Sequence, residues 1–372
     1  MKKTLSFLLV IALTFSLCGC SETVKRILDD SKKEVKAALD EAKEIFKNPD
    51  ALSTDSFSAT ADDINENVKE DTEITQNSIN LIDDNANEII VNTNHTTVSS
   101  ENFLQFSSLT ENEKKLYNVF VYSAIHFTNV VNVSYLKIPV DDIERIYKRF
   151  RADNPQFFYI ARNFAYSYDA DHDTVIKIRL YYTDGNTTDV IDKKGNLTTT
   201  ADRDVIKYKY NLLNKTASQI LKTIPSDVDD VLKEKAIHDY LCNYVTYDKD
   251  INVDKLNETD SVSDVFTAYG AICNKKAVCE GYAKAFQYLC YMVGINASQV
   301  IGESENVGHM WNLVSVNGVW YHIDVTWDDE QKKKIIYDYF NLTEKQILKN
   351  HKITDDFLYI PKCDTKFNNI YF

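Results

Sequence analysis

Cys279, His309 and Asp324 are the residues whose types and surroundings could do chemistry. Cys279 precedes Glu280-Gly281-Tyr282 and an apolar stripe of Tyr282, Phe286, Leu289, Cys290 and Val293, which ends at Gly294. That spacing predicts a helix with the cysteine in its first turn. Unsatisfied backbone N–H groups and the positive end of the helix dipole there favour thiolate over thiol. Gly281 is expected to leave the turn uncrowded for an incoming substrate. The bland reading of a cysteine at such a place is a small buried hydrophobe, as Cys242 and Cys290 are read.

The partners come from a hairpin. Asn317-Gly318 separates two β-prone runs, Gly308 to Val316 and Val319 to Trp327, and predicts a two-residue type I′ turn. The turn pairs Val316 with Val319, sets His309 opposite Thr326, and makes Asp324 the diagonal neighbour on the same face. Diagonal neighbours lie about 7–8 Å apart, a gap that an imidazole and a carboxylate can bridge. Met310, Val314, Val316, Val319, Tyr321, Ile323 and Val325 form the opposite, core face. Cys279 as nucleophile, His309 as proton carrier and Asp324 as orienter would suit attack on a carbonyl through an acyl-thioester. His322 shares the face and competes for the base. His95, His126, His172, His238 and His351 read as solvated or structural. A zinc site of Cys279, His309 and His322 is conceivable, but Cys-x-x-Cys and His-Glu-x-x-His are both missing from the sequence. No metal and no cofactor is expected.

The elements that must position these residues belong to an α+β chain of 372 residues, 44% hydrophobic, with 23 Tyr and 18 Phe for a sizeable core. Its net charge of −14 offers no basic face for nucleic acid. Lys2 and Lys3 precede an apolar run to Leu17, and Leu17-Cys18-Gly19-Cys20 is similar to a bacterial lipobox. Residues 1–19 therefore read as a lipoprotein signal peptide, with Cys20 lipidated on the outer side of the membrane. Residues 20–48 read as an amphipathic helix. Residues 49–99, with eleven acids against one base, read as a disordered linker. An N-terminal α+β region is expected over 100–224. Thr110 and Glu113 there have capping-box spacing before a helix, a second helix covers Asp142 to Arg151, and Phe164–Tyr168 with Ile176–Tyr182 make a hairpin. A further helix runs from about Asp202 to Leu221. This region shows no catalytic ionisable cluster and is read as support or substrate contact. From Pro225 to residue 372 runs the domain that carries the site, opened by a helix whose Ser226 stands three residues before Asp229.

Tyr269-Gly270-Ala271, Val278-Cys279-Glu280-Gly281-Tyr282, Gly308-His309-Met310-Trp311-Asn312 and His322-Ile323-Asp324-Val325-Thr326-Trp327-Asp328 resemble the transglutaminase-like superfamily, in its bacterial secreted branch, over roughly 230–345. The resemblance implies a papain-like α+β fold, with the nucleophile's helix packed on an antiparallel sheet. It also implies triad roles for Cys279, His309 and Asp324. Met310 stands where alanine is common. The Cys279 N–H is one oxyanion donor, and the sequence leaves the second unidentified. The expectation is a lipid-anchored, extracytoplasmic cysteine acyltransferase or hydrolase acting on protein or peptide amides of the cell envelope, with hydrolysis ahead of cross-linking. The reading from another class is a surface binding or assembly module that keeps the shape without turnover.

Overall fold

The structure is a computed structural model and describes residues 102–192, 196–225, 227–251, 263–329 and 335–368. The signal peptide, Cys20, the amphipathic helix and the acidic linker lie outside the described residues. No helix among the described residues is long and apolar enough to cross a membrane.

Helix α1 (Leu104–Ser107) leads to α2 (Glu111–His126), which starts with the capping box expected of Thr110 and Glu113. After β1 (Val130–Asn132), helix α3 (Ile143–Asp153) ends at Asn154-Pro155. Strands β2 (Ile160–Asp169) and β3 (Thr174–Tyr182) form the hairpin, and β1 adds to it in the order β1-β3-β2. A short ladder of β4 (Val190–Ile191) and β5 (Leu197–Thr199) precedes α4 (Arg203–Leu221), whose cap Asp202 accepts the N–H groups of Asp204 and Val205. Phe120, Phe150, Ile178 and Tyr182 are fully buried in this region's core, which also takes in Tyr291 from the following part.

Helix α5 (Asp230–Tyr244) begins one turn later than a serine cap would place it, because the Asp229 carboxylate accepts the Val231 N–H and is itself the cap. Strand β6 (Thr246–Tyr247) runs parallel to β7 (Lys276–Ala277), with α6 (Ala268–Ile272) between them in the chain. Helix α7 (Cys279–Met292) packs on a four-stranded antiparallel sheet of order β10-β9-β8-β11. Its strands are β8 (Asn296–Ser304), β9 (Val307–Val316), β10 (Val319–Ile323) and β11 (His351–Ile353). The Asn312 side-chain amide staples helix to sheet, donating to the carbonyls of Ala283 (3.0 Å) and Ser298 (3.2 Å). This is the mixed fold, with the cysteine's helix on an antiparallel sheet, that the resemblance implies.

The hairpin register is as expected. Val316 pairs with Val319, and Asn317 and Gly318 have φ of 53° and 78°, the left-handed pair of a type I′ turn. One expectation needs correction. Strand β10 stops at Ile323, so His309 has no strand partner at Thr326. The chain turns into α8 (Val325–Asp328), and Asp324 is that helix's cap. Helix α9 (Glu344–Ile347) follows before β11.

Candidate active site

Cys279 is the first residue of α7 and is 5% exposed. The Val278 N–H donates to the Val265 carbonyl (3.0 Å), and the Ala277 carbonyl accepts from Asp248 (2.9 Å), so the entry to the helix is tied down on two sides. Gly281 has a different reason from the one expected. A Cβ there would lie 2.4 Å from the Val265 carbonyl oxygen and 2.8 Å from Ala277 Cβ. The missing side chain admits the 263–267 backbone against the helix, and no room is left at that point for substrate.

Asp324 is held from three directions. Its own N–H donates to the Tyr339 carbonyl (3.0 Å), while Oδ1 accepts the N–H groups of Thr326 (3.0 Å) and Trp327 (3.2 Å). Oδ2 is thereby aimed at His309, whose Nε2 lies 2.6 Å away. The Cys279 thiol stands close enough to the same ring to help hold its charge. Burial works against a charged ring, but the Asp324 charge and hydrogen bond, and then Cys279, raise the His309 pKa to about 10. Burial likewise disfavours an Asp324 carboxylate, and the two histidines on it outweigh that, holding it well below the usual range. The structure therefore brings Cys279, His309 and Asp324 together.

His322 is turned elsewhere. It is fully buried, and its Nδ1 accepts the Trp311 indole N–H (3.1 Å). Burial, and then His351, lower its pKa to about 4, so it is a neutral acceptor and does not join a zinc set with Cys279 and His309. Two contributors were not legible in the sequence. His351, read as solvated or structural, is buried, and its Nε2 lies 2.9 Å from Asp324 Oδ2. Tyr247, which pairs with Ala277 in the β6–β7 ladder, has its phenol within electrostatic reach of Cys279 and its backbone N–H. Burial, then the Cys279 charge, push the Tyr247 phenol up to about 12, so it keeps its proton at neutral pH.

Behind Asp324 lies a second polar network. His238, fully buried on α5, contacts Asp239 Oδ1 and Asp328 Oδ2, each at 3.1 Å. Asp328 Oδ1 accepts the Tyr339 N–H (3.0 Å), so the network braces the residue whose carbonyl holds Asp324. The ligand atoms of His309, Asp324 and His351 lie within 4.8 Å of one another, a cluster that could hold a cation, but their 2.6 and 2.9 Å separations are those of hydrogen bonds. Cys242, Cys273, Cys279, Cys290 and Cys363 are all free thiols.

Residues 215–325 match the family model of the transglutaminase-like superfamily. Mouse kyphoscoliosis peptidase is 28% identical over 127 residues, which are 31% of this chain and 18% of that protein. The human protein of the same name is 26% identical over the same extent. The match thus spans under a fifth of these relatives' length. A solved crystal structure of a TGase is 17% identical, with a TM-score of 0.29 over 51% of this chain and 49% of its own.

Proposed function

We propose, from the premise that residues 215–325 belong to the transglutaminase-like superfamily, that this chain is a cysteine acyltransferase or hydrolase acting on peptide or side-chain amides. The observation that carries the reading is one imidazole, His309, hydrogen-bonded to the Asp324 carboxylate and within electrostatic reach of the Cys279 thiol. With Nε2 committed to Asp324, Nδ1 is the nitrogen left for sulfur. Proton transfer from Cys279 to His309 gives thiolate and imidazolium, and Asp324 stabilises the charged ring.

The thiolate adds to the amide carbonyl carbon, and the negative charge moves to its oxygen. The Cys279 N–H and the Tyr247 O–H are the donors at hand for that oxygen. As the C–N bond breaks, the imidazolium gives its proton to the departing amine and an acyl-thioester remains. Water then adds to the thioester, His309 takes the water's proton, and the carboxylic acid leaves as the thiolate re-forms. An amine in place of water yields a new amide. Hydrolysis is the favoured outcome, in the cell envelope, with the chain held at the membrane by lipid on Cys20.

The test is alkylation by an iodoacetamide probe at near-equal protein concentration, wild type against Cys279→Ala. Dominant labelling at Cys279, together with cleaved or deamidated products among envelope peptides, supports the reading. Equal labelling of the two proteins refutes the nucleophile. A phenotype that survives Cys279→Ala and is lost on removing 100–222 favours the binding module instead.

A further inference from the structure

Away from the cysteine, β2, β3 and the first turns of α7 enclose a cavity of about 410 Å³ that none of Cys279, His309 and Asp324 lines. Its floor is charged. The Glu280 carboxylate takes both Arg162 and Lys284, the latter at 2.6 Å. Arg151, in the last turn of α3, lines the same cavity, and among the described residues its guanidinium makes no hydrogen bond or ion pair, Glu280 reaching it only through its charge. A second carboxylate on the wall, Asp189, is already taken by Arg203 at 2.8 Å. Three cations therefore face one available carboxylate. Burial, against the pull of Glu280 and with Arg151 and Arg162 adding to it, pushes the Lys284 ammonium down to about 8.

An unpaired guanidinium in a half-enclosed site is costly unless something anionic completes it. The rest of the wall is largely apolar, with Phe158, Ile160, Phe164 and Phe266. The volume lies in the range of small-ligand sites, roughly 300–1,000 Å³, and far exceeds what a bare inorganic ion fills. We propose that this cavity binds a carboxylate carried on an apolar or peptide body, with the planar Arg151 fork as its bidentate partner. The inference does not rest on chemistry at Cys279. The carboxylate could come from a free organic acid or from an acidic side chain of a polypeptide.

Isothermal titration of the full chain, wild type and Cys279→Ala, separates these. The probes are N-acetyl-phenylalanine, its uncharged amide, and a peptide blocked at both ends with one glutamate between phenylalanines. The expected result is that at least one carboxylate probe binds roughly tenfold or more tightly than the amide. Arg151→Gln abolishes that difference, and Lys352→Gln on the exposed surface leaves it intact. Arg151→Lys, which keeps the charge and loses the fork, weakens binding and serves if the glutamine variant fails to fold. Binding of the free acid alone assigns a small molecule, and binding of the peptide alone assigns a polypeptide side chain. No preference of either carboxylate probe over the amide, unchanged affinity in the Arg151 variants, or no binding of any probe at millimolar concentration overturns the proposal.

Discussion

His309 and His351 meet on one oxygen. Asp324 Oδ2 lies 2.6 Å from Nε2 of the first and 2.9 Å from Nε2 of the second, while Oδ1 is occupied by two backbone N–H groups. His351 thus helps fix where the carboxylate points, and the His309 ring follows the carboxylate. It acts on the proposed chemistry as a positioning residue. His351→Phe keeps the ring packing against Trp311 and Trp327, each at a centroid distance of 5.0 Å, and removes the nitrogen. We expect kcat to fall roughly tenfold, the scale of one hydrogen bond to a charged group, with KM little changed. His351→Gln, which restores a donor, should recover part of the loss. Unchanged kcat in the phenylalanine variant would leave His351 a purely structural contact.

The His309 charge gives a pH test. Its pKa is raised to about 10 in the folded chain, against about 6.5 for an unperturbed histidine. A group raised in this way contributes stability that is fully present below about 6.5 and is lost as pH climbs through about 10. Asp324 has the opposite sign: its stabilisation is present above the ordinary carboxylate range and fades as pH falls below it. Proton NMR of the His309 ring should show no titration between pH 6 and 8. In Asp324→Asn the same ring should titrate much nearer neutrality, since the largest cause raising it is gone. A wild-type ring that titrates near 6.5 contradicts the ion pair.

What the sequence made legible was local. Thr110 and Glu113, Asn317-Gly318, and the stripe from Tyr282 to Val293 are each determined by neighbours within a turn or a hairpin, and each element formed where spacing put it. Asp324 was found for a partly wrong reason. Strand alternation reached it, yet the chain leaves the strand at Ile323 and presents the carboxylate from a helix cap, a choice made by the Tyr339 carbonyl and the α8 N–H groups. His351 and Tyr247 were not legible, because each arrives through a strand pairing with no local signal, β11 on β8 and β6 on β7. Gly281 was misread for the same kind of reason: the Val265 carbonyl that fills its space lies sixteen positions earlier in the chain.

Tyr247 can be tested without disturbing its packing. Its ring lies over Tyr282 with centroids 6.3 Å apart, and Tyr247→Phe keeps that ring while deleting the hydroxyl. If the O–H stabilises the developing oxyanion, kcat should drop by roughly 10²-fold, the usual consequence of losing one such donor. Alkylation of Cys279 by the iodoacetamide probe, which forms no oxyanion, should proceed at close to the wild-type rate. A parallel loss in both measurements would mean that the phenol supports the cysteine and has no separate part in the acyl step.

Gly281 offers a prediction about stability with a functional readout. In Gly281→Ala the new methyl meets backbone and a packed Cβ, neither of which can rotate away. Either α7 moves off the 263–267 segment or that segment shifts, at a cost of about 1–3 kcal/mol for an overpacked site. Thermal unfolding should report a lower Tm. The Val278-to-Val265 hydrogen bond sits at the same contact, so the displacement reaches the residue before the nucleophile. Cys279 alkylation should therefore slow in the folded variant at temperatures well below its Tm. A variant with wild-type Tm and wild-type alkylation would mean that the helix and this segment are not held at the distance described.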